Sequence, residues 1–178
     1  MKKEQELDEL LADHVNVRKL REYLTERGAY ILRHGTRSLM EHLEGVHLIL
    51  IEAKSEEVVC NAGLFHSVYG TFVYRTKLIE NSEREKVQAM IGLRAEELVW
   101  TFCSLPRPNI LEMSLNCENH NWFSEKVECR HSTHKQLWSD LLRLECANML
   151  EQSALQRFPS LGRHAQSIGI VDAEGFRV

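Results

Sequence analysis

The amino-acid sequence predicts an all-α fold, a compact bundle of helices. Three observations carry this. Apolar residues recur at helical spacing along most of the chain. Three prolines and nine glycines in 178 residues are too few to punctuate a series of short strands. No Asn-Gly or Asp-Gly pair stands between alternating runs, so the strongest hairpin signals are missing.

Residues 7–11 and 17–24 read as one or two amphipathic leading helices. Arg33-His34-Gly35-Thr36 breaks the pattern, and Thr36 is placed to cap a helix running to about Ala53. On that helix Leu39, Leu43, Val46 and Leu50 form the buried stripe, with Glu41, Glu44 and Glu52 away from it. Ser55 is placed to cap an apolar helix that ends near Tyr69-Gly70, where glycine suits a helix stop. Ser82-x-x-Glu85 matches a capping box for a helix over 83–90. Gly92 separates it from a segment over 93–104 that Pro106-Arg107-Pro108 ends. The pattern fades over 109–130, which reads as a loop with a short helix or strand pair. Thr133-x-x-Gln136 opens a long helix to about Gln152, and a small strand pair is expected around 168–171. One domain over 1–158 follows, with leading helices over 1–33, a helical core over 36–152 and a tail over 159–178.

Twenty-two basic against 26 acidic residues leave a net charge of −4, which argues against nucleic-acid binding through bulk charge. The five cysteines are scattered and form no C-x-x-C pair, so a zinc knuckle or thioredoxin-like motif is not supported. The first residues lack the apolar stretch of a signal peptide, and no run approaches the roughly 18 apolar residues of a membrane span. A reduced, soluble, cytoplasmic protein is the expectation.

Functional interest centres on polar groups carried by apolar helices. The segment VVCNAGLFHSVY (58–69) is apolar nearly all round yet holds His66, so its imidazole must find a partner inside the protein. His42 lies 24 residues upstream at the edge of its own stripe. On the long helix Leu137, Trp138, Leu141, Leu142, Leu144 and Met149 share one side, while Asp140, Arg143 and Glu151 are read as lying opposite. Glu145, Asn148 and Gln152 project within the apolar cluster. An unpaired carboxylate there would cost several kcal/mol, so a metal, an arginine or a histidine must compensate it. Two imidazoles with carboxylate or amide oxygens form a candidate site for one divalent ion, Zn²⁺, Mn²⁺ or Fe²⁺. A hydrogen-bonded polar network without metal is the alternative.

The segments LMEHLEGVHLIL (39–50) and EEVVCNAGLFHSVYGT (56–71) resemble the opening of an HD-type domain. They are similar to the hydrolase half of bifunctional guanosine tetraphosphate synthetase/hydrolases. That family reads H-P-L-x-V-A-x-I-L, then A-x-L-L-H-D-x-x-E-D-T, with similar spacing between the histidines. MIGLRAEELVWTFCSL (90–105) and, more loosely, DLLRLECANML (140–150) resemble its later helices, so the resemblance covers residues 37–152. It implies an HD-like bundle, His42 and His66 as metal ligands, and a metal-dependent hydrolase of a phosphorylated small molecule or nucleotide. Glu145 joins the ligands by position and helix face.

The departures are pointed. Ser67 stands where the family has its metal-binding aspartate, and Tyr69-Gly70 or Gly70-Thr71 where it has the catalytic Glu-Asp pair. Ser67 and Tyr69 are accordingly candidates to orient water or substrate. Arg37, Arg75 and Asn148 are candidates to bind a small anionic ligand, with Lys77 beside Arg75. Some HD-type iron oxygenases use extra histidines, a role His120, His131 or His134 would fill here. His-Ser-Val-Tyr-Gly-Thr also looks like the signature of a divergent group of HD-like proteins. Loss of the aspartate and of the Glu-Asp pair equally fits a non-catalytic module that binds a small molecule.

Overall fold

A computed structural model describes residues 15–116, 121–175 and 177 of the chain. The expected helix over 7–11 and His120 lie outside the described residues. Helix α1 (Val15–Glu26) leads through a turn into a two-residue hairpin, β1 (Arg33–His34) and β2 (Arg37–Ser38). Arg33 pairs with Ser38 and His34 with Arg37, antiparallel. The break read in the sequence is therefore a hairpin, turning at Gly35 with φ +66°.

Helix α2 (Leu39–Glu52) starts at Ser38 and not at Thr36. Ser38 Oγ accepts the Glu41 N–H at 3.2 Å, and the Glu41 carboxylate accepts the Ser38 N–H at 2.7 Å. This reciprocal capping box satisfies donors that Thr36, lodged in the turn, does not reach. Helix α3 (Glu57–Phe65) has no side-chain cap, so Ser55 does not play that part. The helix ends at His66, earlier than expected, and the chain turns through Gly70 at φ +75°. Gly63 lets α2 and α3 approach closely, because a Cβ there would fall 2.5 Å from Leu50 Cδ1.

A 3-10 turn (Asn81–Glu83) precedes α4 (Arg84–Ile91), and the Ser82 capping box does not form. Gly92, at φ +89°, redirects the chain into α5 (Leu93–Ser104). The weakly patterned region holds two short helices, α6 (Asn109–Ser114) and α7 (Asn121–Lys126). Thr133 caps α8 (His134–Glu151) as its sequence predicts, accepting from Gln136 N–H at 3.2 Å. After a 3-10 turn (Leu155–Arg157) comes α9 (Pro159–Ser167). The Glu112 carboxylate of α6 accepts the N–H groups of Ser160 and Leu161, both at 2.8 Å, which suits the positive end of that helix. An isolated bridge between Val171 and Arg177 takes the place of the expected strand pair.

The result is a compact helical bundle, mostly helix with one small antiparallel sheet. Helix α2 packs on α3 and α8, α3 on α5, and α9 on α8 and α6. Leu43, Leu50, Leu64, Phe65, Phe102, Leu141 and Leu144 are fully buried where these helices meet, each contributing roughly 1.5–3 kcal/mol of burial. The described cysteines are free thiols. Among the described residues no helix is long and apolar enough to cross a membrane.

Candidate functional site

The α2, α3 and α8 packing brings His42 and His66 together at full burial, with their Nε2 atoms 2.9 Å apart. Each ring is anchored through its other nitrogen. His66 Nδ1 lies 2.7 Å from the Gly63 carbonyl, and since a carbonyl only accepts, that nitrogen carries the proton. His42 Nδ1 lies 2.6 Å from Glu151 Oε2. The carboxylate beside the histidines is thus Glu151 and not Glu145. The Glu151 side chain, read from the sequence as facing away, is only 4% exposed and also pairs with Arg37. Gly45 of α2 makes room for it, because a Cβ there would fall 2.8 Å from Glu151 Oε1 and 2.9 Å from its Cγ.

A proton count follows from these contacts. Burial holds His66 well below its usual range, with His42 adding to the effect, so its Nε2 presents a lone pair. The 2.9 Å contact is attractive only if His42 Nε2 carries a hydrogen. Burial, with His34, Arg37 and Arg107 nearby, holds His42 down to about 2. Burial also pushes Glu151 up to about 7, against the pull of Arg37. Glu151 O–H donating to His42 Nδ1, and His42 Nε2–H donating to His66, satisfies every atom. One proton closes the chain.

Glu145 is fully buried, and both its oxygens accept from Arg107 Nη1, at 3.2 and 2.9 Å. Burial pushes its carboxyl up, and Arg107 pulls it back. Arg107 is further fixed by donating Nε–H to the Phe102 carbonyl at 3.1 Å and by lying 3.5 Å over the Phe102 ring. Its Nη2 forms no hydrogen bond among the described residues and is not sealed inside the protein.

Arg107 lines a cavity of about 190 Å³ that His34, stacked on His42, also lines. Its polar lining includes His34, Ser67, Arg107, Asn148 and Arg157, with Thr71, Tyr74 and Gln152 beside them, and no carboxylate among the described residues lines it. His34 stacks on His42 with ring centroids 4.0 Å apart and planes 3° from parallel. Burial lowers the His34 pKa, leaving a neutral ring between the cavity and His42. Asn148 is 1% exposed, accepts from Gln152 at 2.8 Å, and leaves its buried Nδ2 without a hydrogen bond.

The residues do not fit a resident divalent ion held by His42, His66 and Glu145. The two Nε2 atoms stand at a separation suited to adjacent ligands, and their Nδ1 anchors resemble those of metal-bound imidazoles. The rest of the ligand set is missing. Glu145 is committed to Arg107, Ser67 supplies only a neutral hydroxyl, and no group of three or more His, Cys, Asp or Glu side chains converges among the described residues. Arg37 and Arg107 add positive potential, which opposes a second cation.

Of the other candidates, Ser67 and Asn148 line the cavity and Arg37 supports it through Glu151. Tyr69 is directed elsewhere: its hydroxyl donates to Glu96 at 3.2 Å and its ring packs on Trp100. Arg75 is exposed in the following loop and does not line the cavity. His134 meets the Val127 carbonyl at 2.9 Å, and His131 borders a separate groove with Trp100; neither approaches the histidine pair. His47 is buried in the core, with Nδ1 2.7 Å from the Cys60 carbonyl.

Sequence reasoning missed His34, Arg107, Glu151 and Arg157. Two signals were available. Glu151 follows Asn148 by three residues on α8, a spacing that puts neighbours on one face. Arg107 sits between two prolines, which restrict the backbone on both sides of the arginine.

A family model described as a domain of unknown function (DUF6817) matches residues 23–107. Comparison with curated proteins and with solved structures finds no match.

Proposed function

We propose that the protein is an HD-like domain that binds a small anionic molecule in the cavity beside His42 and His66, without a resident metal ion. The observation that carries this reading is Arg107. A buried guanidinium whose Nη1 and Nε are already committed keeps its Nη2 uncommitted among the described residues and lines a cavity whose described lining holds no carboxylate. Preorganised donors lose little entropy when a ligand arrives. Ser67, whose hydroxyl makes no hydrogen bond within the described protein and is not sealed in, lines the same cavity. Arg157 adds an exposed charge at the rim.

In this reading Ser67 is part of the binding site, placed where the resembled hydrolases carry a metal ligand. The shared proton between Glu151 and His42 holds the two imidazoles in place, the task a cation would otherwise perform. The hydrolase and oxygenase readings both require an ion that this ligand set does not support, so binding without turnover is the better match.

Thermal unfolding of the full chain with acetate, benzoate, inorganic phosphate and phenyl phosphate, each with and without EDTA, tests the reading. An anion-dependent rise in Tm that survives EDTA and is reduced in Ser67→Ala is expected. A response that requires added Mn²⁺, Zn²⁺ or Fe²⁺, or purified protein carrying one such ion per chain, would overturn it.

A further inference from the structure

We infer that the turn over 71–74 docks the protein on an anionic lipid surface, whatever the neighbouring cavity holds. The turn is tight and pinned. The Thr71 N–H donates to the Tyr74 carbonyl at 2.5 Å, and the Tyr74 N–H donates to Thr71 Oγ1 at 2.9 Å. Behind it the N–H groups of Leu78 and Ile79 both donate to the Val68 carbonyl, at 2.9 and 3.0 Å. At the tip stand Phe72 and Val73, 62% and 76% exposed. Such positions ordinarily take Gly, Asn, Asp or Ser, and each large apolar side chain left in water there forgoes the gain of burial.

The charge beside this tip is positive. Arg75 follows on the outgoing arm, where its carbonyl would lie 3.0 Å from a Cβ placed on Gly70 of the incoming arm. Arg157 is exposed and lines the same cavity as Val73. Neither arginine forms an ion pair among the described residues. Lys77 is already paired with Glu80 at 3.6 Å and is not counted. A chain of net charge −4 is repelled by an acidic surface except through a face of local positive charge, so the two arginines select both the sign of the partner and the side turned towards it. Shape selects its kind. Apolar side chains on a protruding turn suit an acyl phase they can enter, whereas energetic anchors between proteins sit in packed, recessed pockets. No described helix spans a bilayer, so the contact is peripheral, and with so few groups it is reversible.

Co-sedimentation of the full chain with vesicles of phosphatidylcholine alone, and of equal parts phosphatidylcholine and phosphatidylserine, tests the inference. Binding is expected only to the acidic vesicles, and weaker as salt is raised. Phe72→Ser with Val73→Ser, at exposed sites where folding is not at risk, is expected to weaken it by roughly tenfold or more. Arg75→Gln is expected to weaken it by about fivefold. Leu93→Ser, at another exposed apolar residue that lines the separate groove with Trp100, is expected to leave it unchanged. Absence of binding to acidic vesicles, or equal binding to both kinds, would overturn the inference. So would binding that survives the double substitution, or that Leu93→Ser weakens as much. Sedimentation equilibrium without lipid reads the other occupant: a dimer abolished by the double substitution would reassign the turn to a second copy of the chain.

Discussion

Replacing Gly45 by alanine sets two effects of opposite sign against each other, and the structure decides between them. Gly45 lies in the interior of α2, where alanine is favoured over glycine by about 1 kcal/mol. The added Cβ would fall 2.8 Å from Glu151 Oε1, 2.9 Å from its Cγ and 3.2 Å from its Cδ, so Glu151 must move. It is not free to do so, because Oε2 holds His42 Nδ1 at 2.6 Å and Oε1 pairs with Arg37. Disrupting hydrogen bonds of this kind costs roughly 1.5–3 kcal/mol, which exceeds the helical gain. Gly45→Ala is therefore expected to destabilise the protein by about 1–2 kcal/mol. In a Glu151→Ala background the obstacle is gone, and the same substitution should stabilise by about 1 kcal/mol. The coupling between the two sites is then on the order of 2–3 kcal/mol, a size typical of residues in contact. Urea unfolding of the four proteins, followed by far-ultraviolet circular dichroism, measures it. Equal stabilisation by Gly45→Ala in both backgrounds would refute the placement of Glu151 over α2.

Three further expectations concern the same region. Glu151 is held up to about 7 in the folded chain against an ordinary 4.5, so the folded state binds more protons across that interval. Stability from this group is complete below about pH 4.5 and declines as pH rises through 7. His42, held down to about 2 from 6.5, acts oppositely: its contribution is complete above 6.5 and is lost as pH falls. Subtracting the Glu151→Gln unfolding curve isolates the glutamate, and the difference should fall by on the order of 3 kcal/mol between pH 4.5 and 7; parallel curves would contradict the shared proton. Arg107→Met leaves the Glu145 charge buried and should cost about 3–5 kcal/mol, whereas Arg107→Met with Glu145→Leu should return close to wild-type stability, both read by chemical denaturation, with ligand response lost in each. Ser38→Ala removes the capping box of α2 and should cost about 1 kcal/mol, while Thr36→Ala should change stability by less than about 0.5 kcal/mol.

Periodicity made the helices legible, and burial logic made the pairing of His42 with His66 legible, because an imidazole on an all-apolar helix has few places to go. The same logic demanded a partner for Glu145 without naming it. Arg107 was hidden in Pro106-Arg107-Pro108, where the prolines signalled only a helix stop. Glu151 was hidden for another reason. Its exposure is set by Gly45, more than a hundred residues earlier in the sequence, and a helical wheel drawn for one helix carries no information about its neighbours. His34 was read as part of a polar break, and only the hairpin places it over His42. Local pattern pointed to Thr36 as the start of α2, and the reach of Glu41 back to the Ser38 N–H places the start at Ser38 instead.

The segment matched by the family model stops at Arg107, yet the counter-charge of that arginine and the carboxyl group held against His42 both sit on α8. A protein fragment cut at that boundary would strand a cation and an imidazole in an unfinished interior. The C-terminal half is therefore a structural obligation of the N-terminal half, and any recombination or minimisation of this domain has to keep α8 with the hairpin, α2 and α3 as one inheritable unit.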